Sequence, residues 1–384
     1  MIADHPPLAG RALDRDAETR ADAGRLSAAW NDSAAKLLRL RGVEVPVVGG
    51  ASHGAGGPRL ALIPTTGEFE AAGPDQRARH LYLGRVDGDP VFAVAVSQRG
   101  ADGVDRDAAP RAAGAGVGEA APSDPASPPA AGLPGEEWRH PFELADRLPE
   151  AEREMIAVAS GLVRWHESAR FSPRDGSLTE PRLGGWMRRD AHGGEHFPRT
   201  DPAVIVLIEH EDRVLLGSNA LWESGRFSLL AGFVESGESL EQTVAREVFE
   251  ESGVRLGEVE YVASQPWPFP RSLMLGFRAR LAEGADPLDL SPDPEEISEL
   301  RWFTRDELRS PAAGITLPMP LSIARWMIDR WVAEGDRDPA SDGGAGDAGG
   351  SAGSGAASGP SDRDRAVADP DETAVALAEG AHGE

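Results

Sequence analysis

Apolar residues recur along this 384-residue chain in two periods, and the switch between them marks out its elements. Alternating or unbroken apolar runs predict strands at AVIVLIEH (203–210), RVLLGS (213–218), RFSLLAG (226–232), VEYVAS (259–264), LMLGFRARLA (273–282) and ISELRWF (297–303). Helical spacing runs through LPEAEREMIAVASGLVRWHESARF (148–171), through Ser239 to Ser252 and through Ser322 to Glu334. Strands flanked by helices in this order predict an α/β sandwich on a mixed sheet. Upstream lie an amphipathic segment near Arg25 to Arg41 and two strand-like runs, RLALIP and HLYLGRVDGDPVFAVAV. The second run reads as a hairpin turned at Asp87 to Asp89, so this region predicts a small α+β domain.

Two stretches break the pattern. Residues 100–136 have the composition of a linker or surface insertion, and 335–384 is an acidic Gly/Ser/Ala tail with too little apolar surface to offset its ordering entropy. The expected organisation is therefore an N-terminal α+β domain (1–99), the insertion (100–136), a helix with a turn-rich segment (137–200), a catalytic-type sandwich (201–334) and a disordered tail (335–384). The net charge of −25 argues against non-specific binding to nucleic acid. The chain has no cysteine, which excludes disulfides and thiolate metal sites. Neither a signal-peptide pattern nor an apolar run of membrane-spanning length is present, so a cytoplasmic location and no membrane partner are expected.

The segment GFVESGESLEQTVAREVFEESGV (232–254) concentrates the candidate chemistry. On a helix Glu247, Glu250 and Glu251 stand three and four apart and converge on one side, while Ala245, Val248 and Phe249 point to other faces as anchors. An isolated acidic pair is most often a solvated helix face. Three carboxylates packed this closely repel one another, and a hard divalent cation such as Mg²⁺ or Mn²⁺ resolves that repulsion. A second stretch, SQPWPFPRS (264–272), sets three prolines and two large rings directly after a strand. Proline cannot donate to a sheet ladder, so the run reads either as an edge-strand exit with its rings in the core, or as a stiff aromatic wall prepared for a ligand.

The first segment resembles the Nudix box, G-x5-E-x7-R-E-U-x-E-E-x-G-U with U aliphatic. Every specified position agrees: Gly232, Glu238, Arg246, Glu247, Val248, Glu250, Glu251, Gly253 and Val254. Chance would produce such a match about once in a million chains of this length. The second segment is similar to the S-Q-P-W-P-F-P-x-S signature of the NADH pyrophosphatase family of Nudix hydrolases, and begins eleven residues after Gly253.

That resemblance implies a Nudix α/β/α sandwich with a mixed sheet, preceded by a small N-terminal α+β domain and a zinc-ribbon-like segment. It implies hydrolysis of NADH or NAD⁺ to nicotinamide mononucleotide and AMP, with NAD-capped RNA as a second substrate. It places two or more Mg²⁺ or Mn²⁺ ions on Glu247 and Glu251, with Glu250 as a further ligand or proton acceptor. The backbone carbonyl of Ala231 joins them, as does Glu296, six residues before Trp302. Arg246 would hold a carboxylate of the box and Glu238 would brace its loop. Substrate would meet Gln265, Pro266, Trp267, Pro268, Phe269, Pro270, Arg271 and Ser272, together with Phe233 against the nicotinamide and Ala324. Phe197, from the partner subunit of a homodimer, would close the sandwich.

The chain departs from the family pattern in one place. ARFSPRDGSLTEPRLGGWMRRDAHGGEHFPRTDP keeps the frame of a four-cysteine zinc ribbon and lacks its ligands. Ser172, Asp175, Asp190 and His192 stand near the ligand positions, with His196 beyond them, but serine is a poor zinc ligand and the spacing is not kept. A metal-free remnant is expected, and zinc is not. Arg188, Arg189 and Arg199 offer a basic rim for an RNA end. Two alternatives stay open: a broad nucleoside-diphosphate hydrolase acting on ADP-ribose or dinucleoside polyphosphates, and a regulator that binds NAD without cleaving it. The intact acid set disfavours the regulator.

Overall fold

A computed structural model describes residues 3–49, 57–73, 76–96, 132–144 and 147–335. Most of the expected insertion (100–131) and the acidic tail from 336 onward lie outside the described residues.

The first unit contains β1 (Leu13–Asp14), α1 (Ala17–Ala21), α2 (Ala23–Trp30), β2 (Lys36–Leu40), β3 (Val45–Val48), β4 (Arg59–Leu60), β5 (Ile63–Pro64), β6 (Leu81–Val86) and β7 (Asp89–Ala95). A five-stranded sheet runs in the order β1-β6-β7-β2-β5. The β6–β7 hairpin turns where expected. Asp87 and Gly88 both take positive φ, 52° and 90°, the left-handed pair that a two-residue hairpin requires.

Two upstream segments divide. The amphipathic segment 25–41 holds two elements: α2 stops at Trp30, and Lys36–Leu40 forms a strand parallel to β7. Its buried run Leu37, Leu38, Arg39, Leu40 has no helical period, as suits a strand covered on both faces. RLALIP likewise divides, β4 joining β3 and β5 joining β2, in different sheets.

β8 (Glu137–Arg139) pairs with β3, and α3 (Pro141–Leu144) leads to α4 (Glu150–Ser168). Glu152 and Glu154 on α4 are buried because they serve backbone donors of the first unit. Glu154 accepts from Ala12 N at 2.8 Å and Glu152 from Leu60 N at 2.7 Å.

β9 (Glu180–Arg182), β10 (Met187–Arg189) and β11 (Glu195–His196) make a three-stranded antiparallel sheet in the ribbon-like segment. A carboxylate stands at its centre. Asp190, 5% exposed, accepts from the backbone of Gly194 (2.7 Å) and His192 (2.9 Å) and from Ser172 Oγ (3.3 Å), and His196 Nε2 lies 3.1 Å away. The Gly194 amide leads in holding this acid down to about 2. His192 meets Asp175 at 3.1 Å. The polar residues near the ligand positions therefore bond to one another.

Arg188 does not belong to a basic rim. It is fully buried and donates to Thr179 Oγ1 (2.6 Å), His166 Nδ1 (2.9 Å) and Gln76 O (2.7 Å). Arg189 pairs with Glu195 and Arg199 with Asp201, which leaves the expected rim largely neutralised.

The sandwich contains β12 (Asp201–His210), β13 (Arg213–Asn219), β14 (Leu230–Phe233), α5 (Leu240–Ser252), β15 (Leu256–Trp267), β16 (Ser272–Leu281), β17 (Ile297–Thr304), α6 (Arg305–Arg309) and α7 (Ile323–Glu334). Its sheet runs β15-β16-β12-β13-β17, with β14 on β12 and the β12–β16 pair parallel. Successive residues of β12 point to opposite faces. Val204, Val206 and Ile208 pack with Val244 and Val248 of α5, whereas Ile205 and Leu207 pack with Ile323, Met327 and Trp331 of α7. The three layers follow from that alternation. β15 is an edge strand, which is why its ladder can run through Pro266.

Candidate active site

The loop before α5 and the helix itself are locked by reciprocal bonds. Ser239 caps the helix and Gln242 returns the bond to the cap, so exposed backbone donors are satisfied. Gly253 ends it in the left-handed region at φ 74°. Arg246 clamps Glu238 with two bonds, Nε to Oε1 at 2.6 Å and Nη2 to Oε2 at 2.8 Å, and also donates to Phe233 O at 3.0 Å. Glu235 N and Thr243 Oγ1 complete the shell of Glu238, whose carboxyl the Arg246 fork holds down to about 2. Glu238 thus staples loop to helix.

The anchoring face of α5 differs from the expected one. Ala245 and Phe249 are exposed, and Phe249 packs under the Arg255 guanidinium at 4.7 Å. Thr243, Val244, Val248 and Ser252 are the buried set, with Glu251 among them. The i, i+4 step from Val244 to Val248 selects the face that meets β12, and Phe249 turns outward.

The three helix acids consequently occupy three environments. Glu250 is exposed and lies 3.0 Å from Arg246 Nη1. Glu247 is half-buried, also 3.0 Å from Arg246 Nη1, and its carboxyl is raised by burial against the opposing pull of Arg246. It sits so close to β14 that a Cβ on Gly232 would fall inside its carboxylate, which explains the glycine. Glu251 is 7% exposed, and its Oε2 has no partner. Burial, then the negative charges of Glu247 and Glu296, push it up to about 8.

Among the described residues no three acidic or histidine side chains converge closely enough to hold an ion as they stand. The donor set nevertheless suits a hard cation. It is all oxygen, it repels itself, and it leaves a buried carboxylate oxygen unpartnered.

Glu251 and Glu296 open onto a cavity of about 430 Å³, within the range of small-ligand sites. Ala231, Phe233 and Ala324 line it, as do Trp267, Phe269, Pro270 and Ser272 of the proline-rich hairpin tip. Trp267 is only 7% exposed and stacks on Phe142 at 5.3 Å, while Phe269 meets both rings edge-on at 5.0 and 5.4 Å. Both rings line the cavity and both pack in an apolar cluster with Leu8, Ala157 and Leu321.

Other expected residues sit elsewhere. Gln265 is fully buried and donates to Leu321 O at 3.1 Å, Arg271 pairs with Asp201 at 2.7 Å, and Pro266 and Pro268 are outside the lining. Phe197 is 58% exposed and does not line this cavity. Sequence reasoning missed Phe142, which backs Trp267 and Phe269 from far away in the chain, and Leu221, Trp222, Arg226 and Met274, which line the cavity.

The NUDIX domain family matches residues 199–320. The NAD-capped RNA hydrolase NudC of Mycobacterium bovis (strain BCG / Pasteur 1173P2) is 46% identical over 198 residues, which cover 48% of this chain and 62% of that protein. The NAD-capped RNA hydrolase NudC of Stutzerimonas stutzeri (strain A1501) is 41% identical over 204 residues, 53% of this chain and 70% of that protein. The NAD-capped RNA hydrolase NUDT12 of Homo sapiens is 37% identical over 208 residues, 50% of this chain and 44% of that protein. The chain spans 62% of the length of the mycobacterial relatives it matches.

Proposed function

Because the chain belongs to the Nudix family, in its NADH pyrophosphatase branch, we propose that it is a metal-dependent hydrolase that cleaves the pyrophosphate of NADH and NAD⁺. The products are nicotinamide mononucleotide and AMP, and the same cut removes an NAD cap from RNA. One observation carries this reading: Glu251, buried with an unpartnered oxygen between other acids, opens onto the same cavity as the Trp267–Phe269 wall.

Nudix hydrolases generally use divalent metal ions. Here Glu247, Glu250, Glu251, Glu296 and the Ala231 carbonyl would hold two or more Mg²⁺ or Mn²⁺. Bound at these residues, the cations supply charge neutralisation on the diphosphate and activation of water. The chain supplies position. Arg246, fixed by Glu238, aims Glu247 and Glu250, and Glu250, the exposed acid, accepts the proton of the attacking water. Phe233, Trp267 and Ala324 orient the nicotinamide half and exclude water around it. Phe197 completes this half from the partner subunit of a homodimer.

The test offers NADH, NAD⁺, ADP-ribose and a short NAD-capped RNA in competition, with Mg²⁺ or Mn²⁺ present. Preference for the nicotinamide dinucleotides supports the reading. Preference for ADP-ribose would replace it with a broad nucleoside-diphosphate hydrolase, and tight NAD binding with no turnover by a regulator.

A further inference from the structure

We infer that the loop joining β13 to β14, residues 219–226, is the binding wall for the second nucleotide half, the purine nucleoside monophosphate beyond the scissile diphosphate. This rests on reading the cavity as a dinucleotide site. At the cavity end of the sheet β14 wedges between β12 and β13. It pairs with Ala203 to Val206 on one side, and Ser228 just before it bridges Gly217 on the other. The acids of α5 pack over β14. The aromatic hairpin tip of β15 and β16 therefore lies on one side of β14 and the 219–226 loop on the other. From β16 to β13 is three strand spacings, about 14 Å. That leaves room for a diphosphate over β14 with a nucleoside on each side.

The loop is built rather than loose. Asn219 Oδ1 and O accept from Leu221 N (2.9 Å) and Trp222 N (3.0 Å), and Ala220 N donates to Glu296 O at 2.7 Å, tying the loop to the acidic end of the cavity. Its far end is bonded to Thr316 through Gly225 O (2.8 Å) and Phe227 N (2.9 Å). On this frame the Arg226 guanidinium lies over the Trp222 ring at 4.5 Å.

Both side chains line the cavity, and Arg226 is the only lysine, arginine or histidine among the described residues that does so, in a lining that also holds Glu251, Glu295 and Glu296. Leu221, also in the lining, is 75% exposed, a large apolar surface that packing leaves unused. A stacked indole and guanidinium form a flat, electron-rich and cationic platform suited to a base carrying a phosphate, and Leu221 extends its apolar edge. The nicotinamide half has its own aromatic wall. The purine half is thereby assigned to Trp222.

The experiment measures competitive inhibition and direct binding of AMP and of nicotinamide mononucleotide, each with Mg²⁺, in wild type and in Trp222→Ala and Trp222→Phe. Equal melting temperatures confirm that both variants fold. Trp222→Ala is expected to weaken AMP about tenfold, the range of one lost base stack, and nicotinamide mononucleotide less than twofold. Trp222→Phe restores most of the AMP affinity, and for NADH the effect falls on KM rather than kcat. Equal weakening of both mononucleotides, or none of AMP, overturns the assignment. A wild type that binds AMP through Trp222 yet cleaves no dinucleotide would defeat the proposed function while leaving this inference standing.

Discussion

Glu251 is the residue on which the metal site can be judged without any turnover assay. Its carboxyl is 7% exposed, has an unpartnered Oε2 and faces Glu247 and Glu296. A rise from 4.5 to about 8 means that at pH 7 the metal-free fold must take up a proton that the unfolded chain does not hold. That uptake costs up to about 3 kcal/mol. Glu251→Gln keeps the shape and removes the charge, so it should stabilise the metal-free protein by about 1–2 kcal/mol after the buried amide finds its own partners. With Mg²⁺ the order changes. A cation bound at one hundred times its dissociation constant adds about 2.7 kcal/mol to a fold that holds it, and the variant should gain much less. Urea denaturation of both proteins in chelator and in Mg²⁺ reads all four stabilities. A variant less stable than wild type in chelator, or one gaining equally from Mg²⁺, would refute the reasoning.

Three further outcomes follow from the same geometry. Glu250→Gln removes an exposed acid paired with Arg246, so kcat for NADH should fall about a hundredfold or more with the melting temperature unchanged; a wild-type rate removes Glu250 from proton transfer. Phe142→Ala takes away the ring behind Trp267 and Phe269, and should raise KM for NADH about fivefold, the worth of one aromatic pair, with a smaller change in kcat; an unchanged KM would mean that the wall stands without it. Burial holds His166 down to about 4, with Gly185 O on one nitrogen and Arg188 on the other. The folded state therefore refuses a proton that the unfolded chain accepts below about 6.5, and stability is full above that pH and lost as pH falls toward 4. Between pH 7.5 and pH 5 this group should cost about 2 kcal/mol, visible as a steeper fall in urea midpoint for wild type than for His166→Gln; parallel falls would exclude it.

The sandwich was readable because its strands and helices obey clean periods: β12 is an unbroken apolar run, and α5 carries both caps in its sequence. The acids of 232–254 were readable because their spacing on a helix is fixed. What escaped was everything set by tertiary contact. Phe249 looked like an anchor until Val244 and Val248 took the face toward β12. Arg188 looked like a surface cation, and its burial depends on partners 22, 9 and 112 residues away. Leu37 to Leu40 lay inside a segment marked only as amphipathic, because helical and buried-strand patterns overlap over so few residues. Trp222 and Phe142 reach the site through loop closure and inter-unit stacking, which no local pattern encodes.

The most direct test of the account incubates the full chain with NADH and Mg²⁺ or Mn²⁺ and separates the products. Equal amounts of AMP and reduced nicotinamide mononucleotide are expected, abolished by chelator. Intact NADH in a folded, metal-supplied sample, or release of nicotinamide and ADP-ribose instead, would contradict it.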